Sequence, residues 1–273
     1  MFRHALVAVD FSPAWPALLA RLHALRELGV TEVTLVHVLS TRYPLAPAES
    51  HREHYESRLS EIAQELSEMS FNAHTELRTG EPGYELAQAA TDAGADLILA
   101  GNRGTRPLRD FFLGSTALDL ARLTDRPLWL EFIGDGDASD GDVALRSILL
   151  ATDGSDAAGP AEECFVKLAA QAEHAIAIHV VDGSDEDGRR TELSDAEQSL
   201  TSLAERVTNL EVRVHQGDAP IEIVEAARRE NADVVIVGKR GRSLIRNLLL
   251  GSVAEAVCRR SRRSVLLVPV KAS

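Results

Sequence analysis

Apolar runs and amphipathic segments alternate along this chain of 273 residues. Runs such as residues 95–100 and 234–237 are dominated by aliphatic side chains, which is typical of strands buried on both faces. The segments between them repeat apolar residues at helical spacing, as in Leu18, Leu22 and Leu25. The pattern predicts five alternations of strand and helix in residues 1–133 and five more in residues 146–273.

The first set of elements can be bounded from local signals. Ser12 is expected to cap the first helix, with Pro13 at its first position, and Gly29 to end it. Residues 73–78 are less apolar than the other strands and are expected near a sheet edge. The predicted strands are 3–9, 33–39, 73–78, 95–100 and 127–132, and the other predicted helices are 49–69, 82–93 and 115–123.

The second half of the chain repeats the first. Asp153 corresponds to Asp10, and three glycines of the first half recur with identical spacing in the second. The glycines follow the aspartate more closely in the second copy, which places a loss of about five residues after the second strand, because loops tolerate deletions better than strands do. Residues 134–145 are rich in Gly and Asp and predict a linker between two domains.

A glycine pattern follows the fourth strand of each half. The first copy has Gly101, Gly104 and then Gly114-Ser115-Thr116, and the second has Gly238, Gly241 and then Gly251-Ser252-Val253. Glycine lets a ligand approach the backbone, and a helix that starts at the last glycine would present unpaired N–H groups to an anion. Ser115 and Ser252 would add a hydroxyl donor or cap the helix.

The charge pattern agrees with an anion site. The second glycine loop contains Lys239, Arg240, Arg242 and Arg246 without an acidic residue, although the chain carries a formal net charge of -13. That net charge argues against nucleic acid or an anionic membrane as a partner. A plainer interpretation is that both loops are ordinary turns with solvated arginines, but the repetition of the spacing favours a ligand.

The predicted topology brings further residues to these loops. Strand–helix alternation predicts a parallel sheet covered on both faces, in which ligands bind beyond the carboxyl ends of the strands. Asp10 ends the first strand and Val38 lies at the end of the second, so both would face the loop after Gly101. Asp10 and Asp153 could instead be helix-capping residues, and His37 and His179 are expected to be satisfied core histidines.

The glycine signature and the duplication together resemble the universal stress protein family in its tandem two-domain form. The resemblance implies Rossmann-like domains similar to the adenine nucleotide alpha hydrolases, with strand order 3-2-1-4-5. It also implies one ATP in each half, with a divalent cation such as Mg²⁺ carried by the phosphates. The residues expected at the ATP are Asp10, Val38, Gly101, Gly104, Gly114, Ser115 and Thr116, and then Asp153, Val180, Gly238, Gly241, Gly251, Ser252 and Val253.

The first copy departs from the second beside its aspartate. Bulky Phe11 and Trp15 stand near Asp10, whereas Gly154 and Ser155 follow Asp153. Bulk at this point is expected to narrow the entrance of the first site. The second site is therefore the stronger candidate.

Other features limit the class of protein. The apolar N-terminal run is short and interrupted by Asp10, so we expect neither a signal peptide nor a membrane span and place the protein in the cytoplasm. The two cysteines, Cys164 and Cys258, fall in amphipathic helical patterns and are expected to be reduced core thiols. No P-loop, nucleophile elbow or metal-ligand spacing is present in the sequence.

These observations favour an ATP-binding sensor or switch in the stress response, read by an unknown protein partner. One alternative is a slow ATPase or a phosphoryl or nucleotidyl transferase that uses the same sites. Another is an adaptor that works without nucleotide. The two halves are expected to pair through their apolar fifth strands as an internal pseudo-dimer, and assembly into a homodimer is left open.

Overall fold

The computed structural model describes residues 1–41, 51–102, 113–134, 144–181, 186–242 and 249–270, with the backbone alone for 186–190. The chain divides into two compact units, Met1–Gly141 and Asp142–Ser273. They are called the first and second unit below. Each has its own core, composed largely of aliphatic side chains.

The first unit alternates strands and helices as predicted. Its elements in chain order are β1 (His4–Ala8), α1 (Trp15–Glu27), β2 (Glu32–Ser40), α2 (Arg52–Glu68), β3 (Asn72–Gly80), α3 (Pro82–Asp92), β4 (Leu97–Gly101), α4 (Ser115–Leu123) and β5 (Leu128–Glu131).

The second unit repeats the same order. Its elements are β6 (Ser147–Ala151), α5 (Gly159–Ala169), β7 (His174–Val181), α6 (Glu186–Ala204), β8 (Leu210–Gln216), α7 (Ala219–Arg229), β9 (Val234–Gly238), α8 (Ser252–Arg260) and β10 (Ser264–Val268). In the first unit, the span of α4 coincides with the predicted helix 115–123.

Within each unit the strands are parallel and follow the order expected from the resemblance. The first unit has the order β3-β2-β1-β4-β5, and the second has β8-β7-β6-β9-β10. The central strands are buried, whereas β3 and β8 are partly exposed along their lengths. The prediction that the third strand is less apolar because it lies at an edge is confirmed.

The start of α1 differs from the prediction. The helix begins at Trp15 with Ala14 as its N-cap residue, and the proline in its first turn is Pro16 rather than Pro13. Ser12 lies in the preceding turn, where its hydroxyl accepts the N–H of Ala14 at 3.2 Å. The hydroxyl therefore caps a turn, and the Ser-Pro signal marked the helix two residues too early.

The shorter second copy is explained by one loop. Eleven residues, 41–51, separate β2 from α2, whereas four residues, 182–185, separate β7 from α6. This is the connection after the second strand, where the deletion was predicted. The flanking strands keep their full pairing in both units.

A buried polar cluster distinguishes the core of the first unit. The guanidinium of Arg21 donates to both carboxylate oxygens of Glu131, at 2.8 and 3.2 Å, and lies 5.0 Å from the centre of the Trp129 ring. The indole N–H of Trp129 donates to the same carboxylate at 2.9 Å. All three side chains are almost fully buried.

The same three positions of the second unit are apolar. When the two copies are aligned on their repeated motifs, Cys164 takes the place of Arg21. In the fifth strand, Leu266 and Val268 take the places of Trp129 and Glu131. All three counterparts are buried. The fold therefore tolerates either a hydrogen-bonded charge pair or an apolar set at this point.

Both cysteines lie in helices of the second unit. Cys164 in α5 and Cys258 in α8 are free and buried, and burial raises the pKa of each thiol to about 12. They are unreactive core thiols, as expected. In the described parts of the chain, no helix combines the length and the apolarity that crossing a bilayer requires.

Candidate functional site

The carboxyl ends of three neighbouring strands of the second unit converge on one loop. Strands β7, β6 and β9 lie side by side, and the chain leaves β9 at Gly238 to return at Gly251, the N-cap of α8. The N–H of Gly251 donates to the carbonyl of Lys239 at 2.9 Å. This bond closes the glycine loop and fixes the N-terminus of α8 beside the end of β9.

Two glycines of this loop have no room for a side chain, and a third has little. A β-carbon at Gly238 would lie 2.9 Å from the carbonyl oxygen of Arg240, and one at Gly251 would lie 3.3 Å from that of Lys239. At Gly241 a β-carbon would collide with the carboxylate of Asp153. The sequence pattern thus reflects close contacts within the loop as well as any approach of a ligand to the backbone.

These elements surround a cavity of about 260 Å³, here called the strand-end cavity. Much of its lining is apolar and includes Ile178, Val180, Ile223 and Val237. The remaining lining residues are Ala151, Thr152, Asp153, Ala158, Ala219, Gly238, Arg240, Gly241, Arg242, Gly251, Ser252, Val253 and Ala254. An apolar chamber with a few polar groups on one side is typical of a small-molecule site.

Asp153 connects two parts of the cavity wall. One carboxylate oxygen accepts the main-chain N–H of Arg242 at 2.7 Å. The other accepts the N–H and the hydroxyl of Ser155, at 3.0 and 2.6 Å. The carboxylate therefore joins the turn after β6 to the glycine loop after β9, and it does not cap a helix.

The polar side of the cavity is cationic. Arg240 and Arg242 line it, and the neighbouring Lys239 is buried with 7% of its surface exposed. Helix α8 adds the positive end of its dipole at Gly251 and Ser252. The arrangement can stabilise an anionic group at the loop while the apolar wall receives a flat, less polar group.

The first unit builds the same strand ends. Gly101 ends β4 beside β1, and Gly114 is the N-cap of α4. The N–H of Gly114 donates to the carbonyl of Asn102 at 2.9 Å, which repeats the loop closure of the second unit. Gly104 and the three arginines of this loop, at positions 103, 106 and 109, lie outside the described residues.

The described residues predicted to bind ATP lie at equivalent places in the two units. In the second unit, all seven predicted residues lie around the strand-end cavity. In the first unit, the predicted residues other than Gly104 lie at the same ends of neighbouring strands or in the first turn of α4. Ser115 and Ser252 are the first helical residues, and neither helix has a side-chain cap.

Sequence reasoning missed part of the apolar wall. Ile178 and Ile223 line the cavity but were not predicted. Ile178 could have been found, because it lies two residues before Val180 and alternate residues of a strand share a face. Ile223 lies in α7, and nothing in its sequence context distinguishes it from an ordinary core residue.

The expectation that bulk beside Asp10 narrows the first site does not hold for Phe11, one of the two bulky residues concerned. The Phe11 ring lies 4.7 Å from the His37 ring and 5.5 Å from that of Tyr55 in α2. His37 and Val38 are successive strand residues and point to opposite faces of the sheet. The Phe11 ring therefore lies on the face away from Val38.

The two strand histidines differ in their hydrogen bonds. The Nδ1 of His37 lies 2.7 Å from the carbonyl oxygen of Val9, whereas within the described residues the Nδ1 of His179 has no partner. The prediction of a satisfied core histidine therefore holds for His37 and is wrong for His179. Burial lowers the pKa of both side chains, and for His179 the positive charge of Arg242 lowers it further.

Comparison with known proteins identifies the family. The sequence profile of the universal stress protein family matches residues 1–130 and again residues 144–269. A universal stress protein of Mycolicibacterium smegmatis is 26% identical over 284 aligned residues, which cover 95% of this chain and 92% of that protein.

Solved structures agree on the fold. A universal stress protein from Archaeoglobus fulgidus superposes with a TM-score of 0.77 at 22% identity, covering 98% of this chain and 96% of the other. A protein from Pseudomonas aeruginosa UCBPP-PA14 superposes with a TM-score of 0.72 at 19% identity, covering 99% of this chain and 94% of the other. With matches that span both halves, the chain belongs to the universal stress protein family and carries two of its domains in tandem.

Proposed function

We propose that this protein binds ATP, one molecule in each unit, and acts as a nucleotide-dependent switch. The observation that carries the proposal is the strand-end cavity of the second unit, in which an apolar chamber adjoins a cationic loop and a helix N-terminus. The adenine would lie against Val180 and its neighbours, and the phosphates would lie on the glycine loop and the start of α8.

The residues present fit such a ligand. Gly238 leaves main-chain groups uncovered where a side chain would collide with the loop, and Gly251 leaves them uncovered at the start of α8. Arg240 and Arg242 supply positive charge on the same side. Within the described residues no cluster of three His, Cys, Asp or Glu side chains could hold a metal ion. A Mg²⁺ that accompanies the phosphates would therefore be carried mainly by the nucleotide, whose charge it would help to neutralise.

Binding without rapid turnover is the form of the proposal that the site supports. Of the residues described around the cavity, Asp153 carries the only carboxylate. Its two oxygens accept hydrogen bonds from Arg242 and from Ser155, so the carboxylate serves the architecture of the loop. A general base must instead reach the nucleophile that it activates. A slow ATPase or phosphotransferase is thus the alternative to be tested.

Titration calorimetry with Mg-ATP tests the binding directly. We expect two sites in the wild type, and weaker binding of adenosine and of tripolyphosphate, because each probe makes only part of the contacts. Gly251→Val should remove one site, since the added side chain fills the start of α8. Its backbone angles, φ -67° and ψ 147°, suit valine, so the fold is retained.

Gly114→Val is the matched variant in the first unit, where φ is -57° and ψ is 148°. It should remove the other site, and the double variant should bind no ATP. Absence of binding by the wild type at millimolar Mg-ATP would contradict the proposal. Phosphate release by the wild type above that of the double variant would favour the enzyme.

The switch itself needs a separate measurement. Nucleotide should protect the loop between Gly238 and Gly251 from hydrogen exchange, because a ligand stabilises the state to which it binds. If the hydrogen-exchange rates of this loop are unchanged under saturating Mg-ATP, the protein binds nucleotide but does not act as a switch through this loop.

A further inference from the structure

Besides the strand-end cavity of the second unit, the molecule has a cavity in the first unit, on the sheet face that carries His37. It has a volume of about 270 Å³ and is called the aromatic cavity. Phe11 and Trp15 form one side of it, and Ile62, Arg58, Glu61 and Glu65 of α2 form the other. None of the described residues predicted at the nucleotide site of the same unit lines this cavity, and Val38 points to the opposite face of the sheet.

The backbone at Phe11 is unusual. Its φ is 55°, in the left-handed region, and the matching residue of the second unit is Gly154 with a φ of 67°. Both units thus make the same turn. Glycine adopts it without steric cost, whereas a bulky residue such as Phe11 adopts it only with strain. Strained residues of this kind persist where their surroundings fix them, and they concentrate at binding sites.

The surroundings of Phe11 fix the ring firmly. His37 and Tyr55 pack against it and lie 4.7 Å from each other, and the guanidinium of Arg58 lies 4.2 Å from its centre. In the second unit Trp15 is replaced by Ala158, which follows Asp153 at the same spacing as Trp15 follows Asp10. Both aromatic walls are therefore particular to the first unit.

The charges of the lining favour a cation. Glu61 and Glu65 are four residues apart on one face of α2, and within the described residues neither carboxylate makes an ion pair. Against these two negative charges stands the one positive charge of Arg58, which gives the lining a net charge of -1. Aromatic faces attract cations and also accept an apolar body.

We propose that the aromatic cavity binds a small organic amine, with its apolar body against Phe11 and Trp15 and its ammonium group at Glu61 and Glu65. The ammonium would meet two carboxylates, and the Trp15 ring would contact the apolar body. A neutral molecule of the same shape would gain the apolar contact alone, and a carboxylate would be repelled. This proposal does not depend on nucleotide binding by either unit.

Phenethylamine, 2-phenylethanol and 3-phenylpropionate are suitable probes, because they share a body and differ in charge. The protein has two tryptophans, so two indole N–H signals can be followed by NMR in the full-length protein. Phenethylamine should shift the Trp15 signal in a saturable way, with a dissociation constant on the order of a millimolar. The Trp129 signal should stay in place, because that side chain is fully buried.

Two variants and a control test the assignment. Glu65→Gln should weaken phenethylamine binding about tenfold, the effect of losing one charged hydrogen-bond partner. Phe11→Gly should abolish the saturable shift. The exposed Glu68→Gln on the same helix lies outside the lining and should bind like the wild type. If Phe11→Gly alters the Trp129 signal, the fold of this variant has changed. The binding of phenethylamine by Glu65→Gln then tests the proposal by itself.

Three results would overturn the proposal. One is a Trp15 shift with phenethylamine no larger than that with 2-phenylethanol. Another is equal binding of phenethylamine by the wild type and Glu65→Gln. The third is a stronger response to 3-phenylpropionate, which would show that Arg58 rather than the glutamates determines the ligand.

Discussion

At the turn after its first strand the first unit has Phe11, where the second has Gly154, and the backbone is left-handed in both. In the core, the first unit buries Arg21 against Glu131, where the second has Cys164 and Val268. Two copies of one fold thus keep the same backbone and the same closure of the glycine loop while their side chains diverge. The shared features belong to the fold and the proposed nucleotide site, and the differences show where one unit has acquired properties of its own.

The units can be followed separately in solution. Both tryptophans, Trp15 and Trp129, lie in the first unit, and both cysteines, Cys164 and Cys258, lie in the second. Tryptophan fluorescence therefore reports unfolding of the first unit. The reaction of the buried thiols with an added reagent reports opening of the second.

The largest expected effect comes from the buried ion pair of the first unit. Glu131→Leu removes the carboxylate that the buried guanidinium of Arg21 contacts, which should lower the free energy of unfolding by about 3–5 kcal/mol. Urea unfolding followed by tryptophan fluorescence measures this. The exposed pair of Arg52 with Glu56 in the same unit is the control, and Glu56→Gln should cost less than about 1 kcal/mol.

The double variant Arg21→Met with Glu131→Leu sharpens the comparison with the apolar second unit. It should recover most of the loss, because no charge remains buried. The Trp129 indole N–H loses its acceptor in both variants, so their difference isolates the guanidinium. A loss below about 1 kcal/mol in Glu131→Leu would show that the pair is not a determinant of stability.

The next effect concerns the carboxylate that holds the glycine loop. Asp153→Ala removes the acceptor of the Arg242 and Ser155 N–H groups and should lower the stability of the second unit by about 2 kcal/mol, measured by thiol reaction in urea. Asp10→Ala should cost the first unit as much, because Asp10 and Gly104 repeat Asp153 and Gly241 in sequence.

A much smaller loss for Asp10→Ala would show that the two loops are held differently. A loss of only a few tenths of a kcal/mol for Asp153→Ala would contradict the role of this carboxylate in the second unit. Asp153→Asn distinguishes charge from hydrogen bonding, since its amide oxygen can still accept the N–H of Arg242.

A smaller, pH-dependent effect is expected at the strand histidines. Burial lowers the pKa of His179 below its ordinary value of 6.5, so the unfolded chain binds a proton there more readily than the folded one. Stability is therefore lost as the pH falls from about 6.5 towards the folded-state pKa, at most at about 1.4 kcal/mol per pH unit. It is regained as the pH rises.

His179→Leu should flatten this dependence, measured by urea unfolding followed by circular dichroism between pH 7.5 and 5. His37→Leu should do the same for the first unit, since burial also lowers the pKa of His37. An unchanged slope in both variants would assign the pH dependence to other groups.

The sequence was sufficient for the fold because the apolar periodicity and the duplication agree at every strand. It placed Gly241, Gly251 and Asp153 in one site because their spacing repeats after equivalent strands. It could not show that Asp153 binds the loop backbone, because that contact joins residues 89 positions apart. Nor could it give the direction of the Phe11 ring, which depends on packing against α2.

The pairing of the two halves through their fifth strands, a protein partner and a cytoplasmic location stay predictions. So do the domain limits of 1–133 and 146–273. The family match and the strand order within each unit stand on firmer observations, since they follow from the comparison and from the strand register.

The rate of thiol reaction in the second unit, with and without Mg-ATP, tests the central claim most directly. Both thiols are buried, so a reagent reaches them only when this unit opens. A ligand that binds only the folded unit, at a free concentration 100 times its dissociation constant, should slow the reaction about 100-fold. We expect this slowing in the wild type and in Gly114→Val but not in Gly251→Val. Equal rates with and without Mg-ATP in the wild type would contradict nucleotide binding at the strand-end cavity.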